Sequence, residues 1–221
     1  MQIELLNILR CPVSNQELLI EKPSSNQEVF QDGYLISKDG KYKYPIINNI
    51  PRFVNKTNYA DNFGLQWNAF SKTQLDSHSG LPISHDRFWN ATNWSLDDLK
   101  DQWVLDVGCG AGRFAEIALN AGAKVIALDY SSSVDACYAN LKHHPNLHVV
   151  QGDIYSLPFE KDFFSYVYSL GVLQHTPDVE KAFYELPLFI KKNGKLCVDY
   201  YQKSWKSYLL PKYWLRPVTK R

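Results

Sequence analysis

Apolar and polar positions alternate irregularly in the first half of the chain and then settle into a regular exchange of strand-like and helix-like segments. Ile3, Leu6 and Leu9 recur at helical spacing, and residues 18–20 and 34–37 are brief apolar runs of strand character. Tyr44, Pro45, Ile46 and Ile47 are separated by Asn48 and Asn49 from Ile50, Pro51, Arg52 and Phe53. That is the layout of a hairpin, because asparagine tolerates the left-handed backbone a two-residue turn requires. Residues 1–54 therefore read as a small unit of their own. Residues 55–101 are polar and mixed, but Phe63, Trp67 and Phe70 recur at helical spacing, which predicts a short amphipathic helix in a helical lead-in or lid.

From Trp103 the exchange becomes regular. Trp103–Val107 reads as a buried strand, followed by a helix through Phe114, Ile117, Ala118 and Ala121 that Gly122 stops. Residues 124–128 form a second strand, and Ser131, Ser132 or Ser133 offers an N-cap to a helix whose apolar face is Val134, Cys137, Tyr138 and Leu141. Residues 147–150 and 165–170 are the third and fourth strands. Asp178 caps a helix carrying Val179, Ala182, Phe183 and Leu186 until Pro187 bends or ends it, and Asn193 with Gly194 turns the chain into a fifth strand at 195–201. Strand–helix alternation of this kind is the mark of a parallel sheet covered by helices, an α/β fold over residues 102–221.

Composition narrows the function. With 24 basic and 23 acidic residues the net charge is +1, which leaves no whole-surface field for capturing nucleic acid. No apolar run reaches the ~20 residues of a membrane span, and the first thirty residues lack a signal-peptide layout, so the expected compartment is the cytoplasm. Cys11, Cys109, Cys137 and Cys197 contain no close pair able to clip a metal and are expected to stay reduced. Assembly into a homo-oligomer is left open.

The sharpest chemical signal is Asp106-Val107-Gly108-Cys109-Gly110-Ala111-Gly112, where a strand ends and a helix begins. Glycines there let a backbone approach a ligand closely, and the helix start offers free amides. The dinucleotide fingerprint spaces its glycines G-x-G-x-x-G; this turn is G-x-G-x-G with an acid two residues ahead. That carboxylate would repel a pyrophosphate, but it can hold a turn amide, a water or an ammonium group. Asp129 closes the second strand, where a carboxylate can accept both ribose hydroxyls, and Gly152, Asp153 and Ile154 close the third, where Asp153 can accept from an adenine amino group while Ile154 packs on the ring.

Taken in order, LDVGCGAGRF, VIALDYS, VVQGDIYSLPF and YSLGVLQHTPD resemble the class I S-adenosylmethionine-dependent methyltransferases, from about Trp103 to Tyr201. The resemblance implies a Rossmann-like fold and S-adenosylmethionine as cofactor, with S-adenosylhomocysteine as product. It implies that Asp106, Gly108, Cys109, Gly110 and Gly112 hold the methionine moiety, Asp129 and Tyr130 the ribose side, Asp153 and Ile154 the adenine, and that Leu170 adds backbone contacts. The stretch NFGLQWNAFSKTQLDS is similar to the lead-in of a bacterial subset acting on sugars, cell-envelope components or secondary metabolites; Gln66 and Trp67 there either cap the cofactor or simply pack the lid. His175 follows the fourth strand as a general base or as a residue that shapes the pocket. The expected acceptor is a small molecule, with an RNA methyltransferase or a non-catalytic cofactor-binding scaffold as alternatives.

Residues 1–54 resemble the small zinc-ribbon-like activators of methyltransferases through LLNILRCPVSNQELL and KYKYPIINNIPRFV. Their C-x-x-C clip is here Cys11 followed by Ser14, so the resemblance implies a metal-free remnant acting as a docking module. The fold of the family also carries two further strands after the fifth. Only about twenty residues follow Tyr201, rich in basic and aromatic side chains without an acid, so those two strands are expected to be lacking.

Overall fold

The computed structural model of the protein describes residues 1–21, 31–54 and 61–199, without the side chains of 61–63. The chain opens with α1 (Ile3–Ile8), then β1 (Leu18–Ile20), β2 (Gly33–Ser37), β3 (Lys43–Ile47) and β4 (Ile50–Pro51), an antiparallel sheet in sequence order. Asn48 and Asn49 both adopt positive φ, 53° and 69°, so the β3–β4 hairpin turns where the asparagine pair predicted it. The second arm is shorter than predicted, because the chain leaves the small sheet after Pro51: Arg52 bridges Gln151 in parallel and the Phe53 amide donates to the Gln151 carbonyl at 2.8 Å. The helix also presents a different face. Leu5, Ile8 and Leu9 are buried, whereas Ile3 is 43% exposed, because the stretch is apolar almost all round and the surface it meets selects the face.

A run of short helices follows: α2 (Asp61–Ala69), α3 (Asp76–Ser79), α4 (Ile83–Thr92) and α5 (Leu96–Leu99). Only the first was predicted. The Asp76 carboxylate starts α4 by accepting from the Ser84 and His85 amides at 2.9 and 2.7 Å, and Ser95 with Asp98 forms a capping box on α5. Phe70 does not serve the predicted apolar face; it lies past the end of α2 and is exposed.

The main body is β5 (Trp103–Val107), α6 (Arg113–Asn120), β6 (Lys124–Asp129), α7 (Ser133–Leu141), β7 (Leu147–Gln151), β8 (Phe164–Leu170), α8 (Val179–Glu185) and β9 (Ile190–Asp199). All five strands are parallel, in the order β7-β6-β5-β8-β9. The winding reverses at β5, which opens a crevice at the carboxyl ends of β5 and its neighbours.

Two local expectations are corrected and one is made specific. Asn193 and Gly194 lie inside β9, where the register against β8 is irregular, instead of turning the chain into it. Of the three serines that could cap α7, it is Ser131 whose hydroxyl accepts from the Ser133 amide, at 3.2 Å, while Ser132 at the cap position makes no side-chain cap bond. On α8, Ala182 and Leu186 are buried but Val179 and Phe183 are about two-fifths exposed, so the buried stripe is narrower than its four apolar residues suggested. The region after Asp199, with the expected loss of two strands and the basic aromatic tail, lies outside the described residues.

Each face of the parallel sheet is covered. One face, with Val104, Val125, Ala127, Val149 and Tyr168, packs on α4, α6 and α7 through Phe88, Phe114 and Val134. The other, with Leu105, Val107, Ile126, Leu128 and Val167, forms one core with α8 and with Leu5, Ile8, Leu9, Leu18, Leu35 and Ile46 of the N-terminal unit. Burying each of these aliphatic side chains stabilises by about 1.5–3 kcal/mol relative to exposure. Backbone bonds knit the seam: the Arg10 amide donates to the Pro158 carbonyl at 2.9 Å and the Glu160 amide to that of Ile8 at 2.9 Å. Cys11 is buried in this seam, its sulfur 3.2 Å from the Tyr44 hydroxyl and 3.4 Å from the Ser14 amide. Among the described residues no helix is long and apolar enough to cross a membrane.

Candidate functional site

A cleft of about 270 Å³ opens at the carboxyl ends of β5, β6 and β8. Its floor is the turn at 107–112, which the strand ends hold rigid. The Gly108 and Cys109 amides donate to the Leu128 carbonyl at 2.7 and 3.0 Å, and the Gly110 amide donates to Asp129 Oδ2 at 3.0 Å. Asp129 Oδ1 accepts from the Ser131 amide at 2.9 Å and the Ser131 hydroxyl at 2.7 Å, so one carboxylate locks the tip of β6 to the glycine turn. Gly108 has φ 86°, and a Cβ there would come within 2.5 Å of both Val172 methyl groups. No other residue supplies both that conformation and that clearance.

Asp106 sits below this turn, 2% exposed, with Oδ2 lacking a hydrogen-bond partner. Burial pushes its carboxyl up to about 8, the charge of Asp129 adding to the effect while the facing Tyr168 opposes it. The Tyr168 hydroxyl, also buried, faces this carboxyl without a hydrogen bond of good geometry, which leaves Asp106 Oδ2 poorly satisfied in the core. Cys109 is buried beside Cys137, and burial drives its thiol well above the ordinary range.

The roof comes from the lead-in helices. Trp67 lies over Gly110: a Cβ on that glycine would stand 3.5 Å from the indole Nε1. The roof is fastened to α7. Gly64 packs closely against Ser132, and Asn68 Nδ2 donates to the Ser132 carbonyl at 3.0 Å. Asn140 Nδ2 ties the Ser71 carbonyl at 2.9 Å to that of Ala111 at 3.0 Å, joining roof and floor through one amide.

Of the predicted site residues, Trp67, Gly108, Cys109, Gly110, Asp129, Tyr130, Ile154, Leu170 and His175 line the cleft. Asp106 lies beneath its wall. Gly112 does not face it; a Cβ there would meet Leu141 Cδ1 at 2.6 Å, so this glycine serves the packing of α6 on α7. Asp153 is also off the wall, its Oδ1 accepting from the Tyr155 amide at 2.9 Å to start a 3-10 turn. Gln66 is exposed on α2 and is not brought to the cleft. Sequence reasoning missed Ser71, Gln74, Leu75, Arg87, Arg113 and Phe114, which wall the cleft beneath the roof. Arg113 carried a readable signal, since a cation in the first turn of a helix opposes the helix dipole and calls for another role. Arg87 carried none.

Residues 105–198 match a family profile described as a methyltransferase domain. A ubiquinone biosynthesis O-methyltransferase of Coxiella burnetii is 31% identical over 113 residues, 50% of this chain and 48% of that protein. A demethylmenaquinone methyltransferase of Thermobifida fusca is 31% identical over 122 residues, 53% of this chain and 52% of that protein. The chain thus spans about half the length of the curated relatives it matches. Among solved structures, a Methanococcus maripaludis protein assigned as an S-adenosyl-L-methionine-dependent methyltransferase superposes with TM-score 0.53 at 19% identity, covering 75% of each chain. Phosphoethanolamine N-methyltransferase 1 of Haemonchus contortus, solved with phosphoethanolamine and S-adenosylhomocysteine, superposes with TM-score 0.52 at 17% identity over 65% of this chain and 32% of its own. At such identities the two structures speak for the fold. The strand order and the glycine turn agree with the matched segment: residues 105–198 match the methyltransferase-domain profile and carry the Rossmann-like fold of the class I S-adenosylmethionine-dependent methyltransferases.

Proposed function

We propose that this chain transfers a methyl group from S-adenosylmethionine to a small-molecule acceptor. The observation that carries the reading is the Asp129–Gly110 bond, which makes the strand-tip carboxylate and the glycine turn a single preformed cradle within the cleft. The two relatives, both named for quinone methylation, support an acceptor of small size.

The residues fit the cofactor chemically. A carboxylate has about four lone-pair positions and Asp129 already accepts three bonds, so it can take one ribose hydroxyl as it stands and both if the Ser131 hydroxyl turns away, keeping its two amide bonds. Ile154 and Tyr130 offer flat apolar surface for an adenine, and the Leu170 end of β8 offers main-chain groups. Asp106 Oδ2, buried without a partner, suits an ammonium group reached directly or through a water, which would draw the carboxyl into its ionised form. When bound, S-adenosylmethionine supplies an electrophilic methyl on a sulfonium. The protein's part is placement. The turn at 107–112 holds the methionine end, Trp67 closes over Gly110 and keeps water away, and His175 on the cleft wall takes the acceptor's proton or shapes the space beside it.

Calorimetric titration with S-adenosylhomocysteine tests the reading. Uptake by the wild type and a strong loss of affinity in Asp129→Ala are expected; equal affinity in the variant would reject the ribose role.

A further inference from the structure

Arg52, just past β4, lies neither in the segment matched by the family profile nor on the wall of the cleft, and its side chain is only 13% exposed. Its guanidinium is held from two sides. One terminal nitrogen donates to Asp135 Oδ1 at 2.6 Å, in the first turn of α7, and the other donates to Gln151 Oε1 at 2.7 Å, at the end of β7. The main chain fixes the same pair, since Arg52 bridges Gln151 in parallel and the next amide, of Phe53, donates to the Gln151 carbonyl. Gln151 is itself buried and stands in register beside Asp129 of β6.

A guanidinium carries only donors, so the Gln151 side chain can meet it only through its oxygen. The amide nitrogen is thereby turned to the other side, where it donates to the Tyr130 carbonyl at 3.1 Å. That carbonyl and the Ser131 N–H belong to one planar trans peptide, in which the two point in opposite directions. Holding the carbonyl therefore aims the N–H, which donates to Asp129 Oδ1 at 2.9 Å. A reversed Gln151 amide would set oxygen against oxygen at Tyr130, and the peptide that steers the Asp129 carboxylate would lose its hold.

We infer that Arg52 is a positioning residue for the cofactor: through Gln151 and the peptide between Tyr130 and Ser131 it sets the orientation of the Asp129 carboxylate that receives the ribose. The assignment rests on the methyltransferase reading and adds to that site a residue that touches neither cofactor nor acceptor.

The test titrates S-adenosylhomocysteine into the full chain by calorimetry, with a thermal melt of each variant alongside. Arg52→Met removes both donors and should weaken binding by about tenfold, the size of one charge-assisted hydrogen bond, and Arg52→Lys should recover part of that loss. Gln151→Glu separates positioning from packing. It gives Arg52 a stronger partner but sets an acceptor against the Tyr130 carbonyl, so the protein should melt no earlier and still bind about tenfold more weakly. Leu18→Ala loosens the small sheet at the edge farthest from Arg52, and should melt earlier yet bind within about twofold of the wild type. In an Asp129→Ala background Arg52→Met should change affinity by less than about twofold, because the carboxylate it aims is gone. Wild-type affinity in Arg52→Met or Gln151→Glu would overturn the assignment, as would an equal loss in Leu18→Ala or an undiminished Arg52→Met effect without Asp129. Should Arg52→Met fail to fold, Gln151→Glu decides alone. A wild type that takes up no S-adenosylhomocysteine would instead overturn the methyltransferase reading, and this assignment with it.

Discussion

The two ends of the cleft are built on different principles. At the β6 end the wall is main chain and one carboxylate: Gly108, Gly110 and Asp129, bonded to one another within 22 consecutive residues. At the roof end it is side chains from three separate helices, with Trp67, Arg87 and Phe114 brought together by long-range packing and by bridges such as Arg87–Asp199, 112 residues apart. The first kind of wall tolerates almost no substitution and suits a ligand that never changes. The second can be rebuilt one side chain at a time, which suits an acceptor that differs between relatives sharing one fold.

Substitutions can break this contrast, beginning with the most severe. Gly108→Ala should cut S-adenosylhomocysteine affinity by more than about 100-fold and lower the melting temperature, since positive φ and the Val172 methyls both oppose a Cβ. Adding Val172→Ala should recover the steric share alone, a non-additivity that a double-mutant cycle reads directly. Asp129→Ala should weaken the same ligand by about 30-fold, the worth of roughly 2 kcal/mol of charge-assisted bonds.

Acidity sharpens the contrast further. If an ammonium group takes up the ionised form of Asp106, affinity should rise with pH by up to about tenfold per unit and level off above about 8. Stability should move the other way. The unfolded chain releases this proton near 3.8 and the folded chain near 8, so the folded state holds more protons between those values and loses stability as pH climbs through that window. Asp106→Asn should flatten the decline in a pH series of denaturant melts while weakening cofactor binding at pH 8. Trp67→Ala, which strips the roof but leaves the floor intact, should cost only about fivefold in cofactor affinity, a small loss of contact area.

The same division explains what could be read from the chain. The parallel sheet, the glycine turn and Asp129 were legible because strand periodicity and a short motif are local. The N-terminal helix is legible but the face it buries is not, because five of the chain's first nine residues are aliphatic and only the sheet beneath decides between them. The motif does not show that the absent side chain of Gly112 makes room for Leu141. The strand-end position of Asp153 does not show that one of its oxygens accepts from the Tyr155 amide. Arg87 left no trace, since a single arginine between Asp86 and Phe88 takes its meaning from Phe114 and Asp199, far away in the chain.

A sheet cannot tell whether the helix lying on it came from its own crossover or from upstream. Here the opening fifty residues have taken such a seat, over Leu105, Val107, Ile126 and Leu128. Trimming them to obtain a minimal enzyme would strip oil from a wet surface, and the first symptom would be precipitation in the tube, well before any change in chemistry could be measured.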